Sequence, residues 1–109
     1  MSDQAEKGIV IFITSPNEDE AARIARSLVE AGLAACANII RNIRSIYTWQ
    51  GKIQDDAEVL MVVKTKRGLF NEVADMVKRL HSYDVPEIIA LPITDGSQDY
   101  LDWLNKSTK

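Results

Sequence analysis

The apolar residues of this chain change their spacing several times, and each change marks an element. Residues 9–13, Ile-Val-Ile-Phe-Ile, are apolar on both parities and rich in β-branched side chains. That is the pattern of a central strand covered on both faces. In Ser15-Pro16-Asn17-Glu18, Ser15 is placed to cap, Pro16 to take the first helical position and Glu18 to close a capping box, which predicts a helix starting at Pro16. Ala21, Ile24, Ala25 and Leu28 then recur at helical spacing, and Gly32 is suited to the left-handed position past the end, so the helix is expected to run to about Ala31.

Residues 34–49 are rich in Ile, Ala and aromatics, Gln50-Gly51 offers a tight turn, and residues 52–64 resume an extended pattern, which together predict a long β-hairpin. Ile43, Tyr47 and Trp49 keep one parity while Ile39 and Ile40 break it, so a bulge or bend is expected near Arg41 and Asn42. The returning run Val59-Leu60-Met61-Val62-Val63 is apolar on both parities, and both of its faces should be covered. From Gly68, the residues Leu69, Phe70, Val73, Met76, Val77 and Leu80 step at three and four, with Lys78 and Arg79 in the last turn of a second helix ending near His81. Residues 87–93 form a fourth strand whose internal Pro92 cannot donate to a ladder, which argues for a sheet edge or a bulge. Gly96-Ser97 stops it, and Ser97 caps a short helix carrying Tyr100, Leu101 and Leu104.

The order β-α-β-β-α-β plus a terminal helix predicts an α+β fold, a ferredoxin-like sandwich with two helices on one face of an antiparallel sheet. A single domain is expected over residues 1–109, with 1–7 and 106–109 frayed. The hairpin arms exceed the usual strand of about 5 to 6 residues. A lone chain of this size has little with which to cover them, so closed cyclic assembly is a physical expectation.

Composition narrows the function classes. Apolar residues make up 46% and charged residues 27% of the chain, as in an ordinary folded domain. With a net charge of −3 and no long basic run, nucleic acid is not an expected partner. No stretch has the character of a signal peptide or a membrane span, so a soluble, cytoplasmic protein without a membrane partner is expected. Cys36 is the one cysteine, which excludes an internal disulfide and a cysteine-rich zinc site. None of the familiar dinucleotide, Walker-type, zincin, nucleophile-elbow or EF-hand motifs occurs, so an enzyme is not expected.

A few residues stand out as candidates. His81, the single histidine, either caps the end of the second helix or, with carboxylates near it, ligates a divalent ion. As a general acid or base it lacks a nucleophile or an orienting partner that sequence can name. Cys36, among alanines, reads as a buried unreactive thiol. Tyr47, Trp49, Tyr83, Tyr100 and Trp103 serve core or interface packing, or else line a cleft between subunits with Glu58, Lys64 and Glu87 beside them. Of these, Trp49, Glu58, Lys64, Tyr83, Glu87 and Trp103 make the candidate ligand cleft. Asp55, Asp56 and Glu58 read as a solvated hairpin tip, with weak cation binding the lesser alternative.

The segments Leu-Ala-Ala-Cys-Ala-Asn-Ile-Ile (33–40), Ser-Ile-Tyr-Thr-Trp-Gln-Gly-Lys-Ile (45–53), Leu-His-Ser-Tyr-Asp-Val-Pro-Glu-Ile-Ile-Ala-Leu-Pro-Ile (80–93) and Tyr-Leu-Asp-Trp (100–103) resemble, in this order, the CutA family of divalent-cation tolerance proteins. The resemblance implies a homotrimer of ferredoxin-like subunits whose long hairpins pair between subunits, with an overall shape like that of PII-type signalling proteins. It implies a binding protein linked to tolerance of, or response to, a divalent cation such as copper, with His81 as metal ligand. No organic cofactor is implied. A PII-like signalling or scaffold module that binds a small anion or a partner protein is the alternative. Where the family often has Pro-Gly this chain has Arg41-Asn42, and its His-Pro-Tyr-Glu stretch is His81-Ser82-Tyr83-Asp84 here. Ile13 and Leu80 stand where copper-binding members have Cys and His.

Overall fold

In the computed structural model, which describes residues 4–109, the 9–13 run lies inside an eight-residue strand, β1 (Gly8–Ser15). There follow α1 (Glu18–Glu30), β2 (Cys36–Trp49), β3 (Lys52–Lys66), α2 (Phe70–Leu80), β4 (Ile88–Pro92) and α3 (Gln98–Lys106). Single 3-10 turns precede β1 at Gln4–Glu6 and α2 at Arg67–Leu69. The four strands form one sheet in the order β2-β3-β1-β4, every neighbouring pair antiparallel. This is the expected α+β arrangement, with β4 at the edge where Pro92 is tolerated.

Helix α1 starts two residues later than the capping pattern suggests. Asn17 is the cap, extended at φ −154°, and its Oδ1 accepts the Glu20 N–H at 2.8 Å. Ser15 remains in the ladder opposite Val59, and its hydroxyl donates to the Asn17 carbonyl at 3.1 Å. Asn caps as well as Ser does, and the strand claims Ser15 first. At the other end Gly32 adopts φ 72°. Leu33 N–H then reaches the Leu28 carbonyl at 2.9 Å and Gly32 N–H the Val29 carbonyl at 3.0 Å, a Schellman closure.

The hairpin arms, 14 and 15 residues long, turn through Gln50 (φ 51°) and Gly51 (φ 77°). Two consecutive positive φ values are what a type I′ turn requires. Between Ile40, opposite Leu60, and Ile43, opposite Glu58, β2 carries one residue more than β3, with Asn42 left-handed at φ 63°. That is the expected bulge. The hairpin's outer half extends the molecule to 47 Å along its long axis, against 25 and 23 Å across.

The core lies on one face of the sheet. Ile9, Ile11 and Ile13 of β1 and Val59, Met61 and Val63 of β3 are buried with Ile24 and Leu28 of α1 and Val73 and Val77 of α2. On the opposite face Val10, Phe12, Leu60 and Val62 are only half-buried, and Ile40, Ile89 and Leu91 are exposed. Full cover of both faces of β1 and β3 is therefore not achieved within one chain. Helices α1 and α2 occupy a single face, and α3 packs against β3 and β1 with Leu104 buried apart from the main core.

The end of the chain, expected to fray, is hydrogen-bonded: Ser107 N–H to the Trp103 carbonyl, Thr108 Oγ1 to the Leu104 carbonyl, and Lys109 N–H to the Gly32 carbonyl. The fraying expected over 1–7 falls partly on residues 1–3, outside the described residues. Arg67 N–H ties Lys7 to the body at 2.8 Å. No helix among the described residues is long and apolar enough to cross a membrane.

Candidate functional site

His81 ends α2 and turns the chain into the 82–87 loop. Its backbone N–H still reaches the Val77 carbonyl, but its ring points inward, with no exposed side-chain surface. Nε2 donates to the Thr14 carbonyl at 2.7 Å, since a carbonyl can only accept, and Nδ1 accepts the Tyr83 N–H at 3.0 Å. The ring is thus held as the Nε2–H tautomer with both nitrogens engaged. Glu20 of α1 lies beside it, its Oε2 3.4 Å from Nδ1, and accepts both the backbone N–H and the hydroxyl of Ser82 at 3.0 and 3.1 Å. These bonds pin the loop to the ends of β1 and α1, and so fix where Tyr83 stands.

Tyr83 crosses to the hairpin and donates from its hydroxyl to Glu58 Oε2 at 2.7 Å. Burial first, and then this bond to a carboxylate, push its pKa well above the ordinary tyrosine value. One step further out, the Tyr47 hydroxyl donates to Asp56 at 2.6 Å, which pushes Tyr47 up to about 12. Between the loop and the outer half of the hairpin lies a cleft of about 680 Å³. Four of the residues expected in a ligand cleft meet there: Trp49, Glu58, Tyr83 and Glu87. Tyr47, Ser82, Asp84 and Val85 join them, with Thr14, Ser45 and Ile46 completing the wall. Tyr47 was legible, because it shares its parity with Trp49. Ser82, Asp84 and Val85 carried no pattern that could place them.

Glu58, Asp84 and Glu87 give the cleft three carboxylates, and no Lys, Arg or His lines it. Glu58 is only 6% exposed and forms no ion pair among the described residues.

Two expected cleft residues stand elsewhere. Lys64, opposite Cys36 in the ladder, bonds to Asn38, and Trp103 lies on α3 against Tyr100, ring centroids 5.4 Å apart. Cys36 is half-buried rather than sealed in the core, and its Sγ lies 3.7 Å from Asn38 Oδ1. Of the hairpin-tip acids, Asp55 is held by Arg44 through two bonds at 2.8 and 2.7 Å, which keep its carboxyl below the usual range. Neither ring nitrogen of His81 has a lone pair to spare for a metal. Ile13 is fully buried, and no group of three or more His, Cys, Asp or Glu side chains that could hold an ion occurs among the described residues. The residues present do not fit a copper centre at His81.

Residues 9–107 match the family model described as CutA1 divalent ion tolerance protein. The Divalent-cation tolerance protein CutA of Thermus thermophilus is 50% identical over 99 residues, covering 91% of this chain and 96% of that protein. Protein CutA, chloroplastic, of Arabidopsis thaliana is 45% identical over 108 residues, 99% of this chain but 59% of its own length, so this chain spans little more than half of that relative. Among solved structures, that of CutA1 from Oryza sativa superimposes with a TM-score of 0.93 at 45% identity, covering 98% of both chains.

Proposed function

This chain belongs to the CutA1 divalent ion tolerance family, and from that membership and the cleft together we propose that it works as a homotrimeric cytoplasmic protein that binds a cation where the hairpin meets the 81–87 loop. The observation that carries this reading is Glu58: a carboxylate 6% exposed, on the wall of an open cleft, with no cationic partner among the described residues. A buried charge left unpaired is costly, so the site favours a positive guest. Its donors are oxygens, which suit harder ions than the soft thiolate and thioether sites that select copper(I). A PII-like module for a small anion would require a basic lining, which this cleft lacks.

The trimer draws support from the uncovered face. Phe12, Leu60, Val62, Ile40 and Ile89 form an apolar surface beside a projecting hairpin, and the outer edges of β2 and β4 have no strand partner among the described residues. Such edges and faces are commonly covered by cyclic assembly. The cleft lies on this same side of the hairpin, so a neighbouring copy would stand beside the binding site.

Calorimetric titration with zinc and copper(II), on wild type and on Glu58→Gln, Glu87→Gln and His81→Ala, tests the site. Any cation heat that wild type shows should be lost in the carboxamide variants, while a folded His81→Ala, which touches only the positioning of the loop, keeps a Glu58-dependent signal. Heat of binding unchanged in both carboxamide variants overturns the site.

A further inference from the structure

The walls of the cleft specify a guest more closely than charge alone. A bare divalent ion is held by several oxygens converging within about 2.0–2.6 Å of it, and no such group occurs among the described residues. The cleft is also far larger than an ion; its volume of about 680 Å³ is that of a small-molecule site. Three aromatic side chains, Tyr47, Trp49 and Tyr83, line it together with Glu58 and Glu87. Both tyrosine hydroxyls are committed to carboxylates of this chain, so what the two residues still offer a guest is ring carbon and π surface. Aromatic faces beside carboxylates attract one kind of ligand doubly: a cation that carries hydrocarbon.

We propose that the cleft binds an organic cation, an alkylammonium whose charged head lies against Glu58 and Glu87 and whose carbon chain lies along Tyr47, Trp49 and Tyr83. This rests on the reading of the cleft as a cation site. The ammonium gives Glu58 the cationic partner it lacks, and the aromatic wall takes up carbon that a metal ion does not have. Glu87 is exposed and can swing to the head group as the guest enters, whereas Glu58 is fixed by Tyr83.

The chain has two tryptophans, Trp49 and Trp103, and Trp103 lies outside the cleft, so Trp103→Phe leaves Trp49 as a single reporter. This protein is titrated with n-butylammonium chloride and with putrescine, with n-butanol as the neutral counterpart, potassium chloride as the ionic control and zinc chloride in parallel. The expected result is a saturable change in Trp49 emission with both amines and none with butanol or potassium. Glu58→Gln and Glu87→Gln should each weaken it by about tenfold or more. Glu87→Gln alters an exposed side chain, so it keeps the test open if Glu58→Gln fails to fold. Amines without effect, an equal response to butanol, or affinity indifferent to both carboxamides overturns the proposal. Zinc binding that depends on Glu58 while the amines do nothing also overturns it, and leaves the cation site standing. Silence from amines and zinc alike removes both.

Discussion

His81 and Thr14, 67 positions apart in the chain, are joined by a hydrogen bond of 2.7 Å from the imidazole Nε2 to the β1 carbonyl. The other ring nitrogen accepts from Tyr83 N–H, so one side chain ties the end of β1 to the loop that carries a wall of the cleft. The site owes its shape to a histidine that takes no part in it.

Replacing His81 by Ala strips the Thr14 carbonyl and the Tyr83 N–H of buried partners and leaves a void. We expect a loss of about 2–4 kcal/mol in urea unfolding. Glu20→Ala, which frees the Ser82 backbone N–H and hydroxyl, should cost about 1–3 kcal/mol. A His81→Ala protein as stable as wild type would contradict this account of the loop.

Alkali offers a second check. The Asp56 bond raises Tyr47 from its ordinary value near 10 to about 12, and Tyr83 is raised further by burial and by Glu58. Tyr100 is raised too, by burial and by Cys36. Because the folded state favours the neutral phenols, the stability they contribute is full below pH 10 and is lost as pH rises toward 12 and beyond. Tyrosinate absorbance should remain low at pH 10 in the folded protein and appear there on unfolding in urea.

Asn42 is left-handed at φ 63°, at the position where the family often has glycine. Asn42→Gly should be tolerated, while Asn42→Val should cost about 1–2 kcal/mol, the usual penalty for a side chain forced into that region. Thermal unfolding of the two variants side by side measures the difference.

Ile40 and Ile89 are 47% and 52% exposed, so an aspartate at either costs the isolated chain little. If copies cover that face, Ile40→Asp and Ile89→Asp lower the mass in light scattering from about three times 12.2 kDa toward a single chain. A wild-type protein already at one chain's mass would remove the trimer from the proposed function.

Much of the fold was legible because it is written in local periodicity. The step from period two to 3.6 located α1 and α2, Gln50-Gly51 announced the turn, Pro92 announced the edge, and broken alternation at Ile39 and Ile40 announced the bulge. The first helix cap slipped by two because Ser15 and Asn17 are equally good caps, and only the pairing of Ser15 with Val59 decides between them. What covers the second face was not legible, because Leu60 and Val62 are apolar whether a helix or another copy lies over them; within one chain nothing fully covers it. Of the cleft, the hairpin residues Trp49 and Glu58 were legible and the loop residues Ser82 and Asp84 were not, since their positions are set by Thr14 and Glu20, distant in sequence. Lys64 and Trp103 were placed there by residue type alone; the register sets Lys64 opposite Cys36, and α3 holds Trp103 against Tyr100.

The extra residue at the bulge governs everything beyond it. Inward of it, Cys36, Asn38 and Ile40 share a side with Leu60, Val62 and Lys64; outward of it, Ser45, Tyr47 and Trp49 share that side with Glu58 and Asp56. Deleting Asn42 would restore strict alternation and leave Ser45, Tyr47 and Trp49 on the Glu58 side, whereas the same residues paired without a bulge would rotate the outer arm by half a turn, presenting Ile46 and Thr48 to that side and sending both aromatic rings to the far one. The bulge thus absorbs the one residue that would otherwise turn the arm over, and backbone shape at a single position, rather than the identity of any cleft residue, decides which of the arm's two surfaces meets a guest.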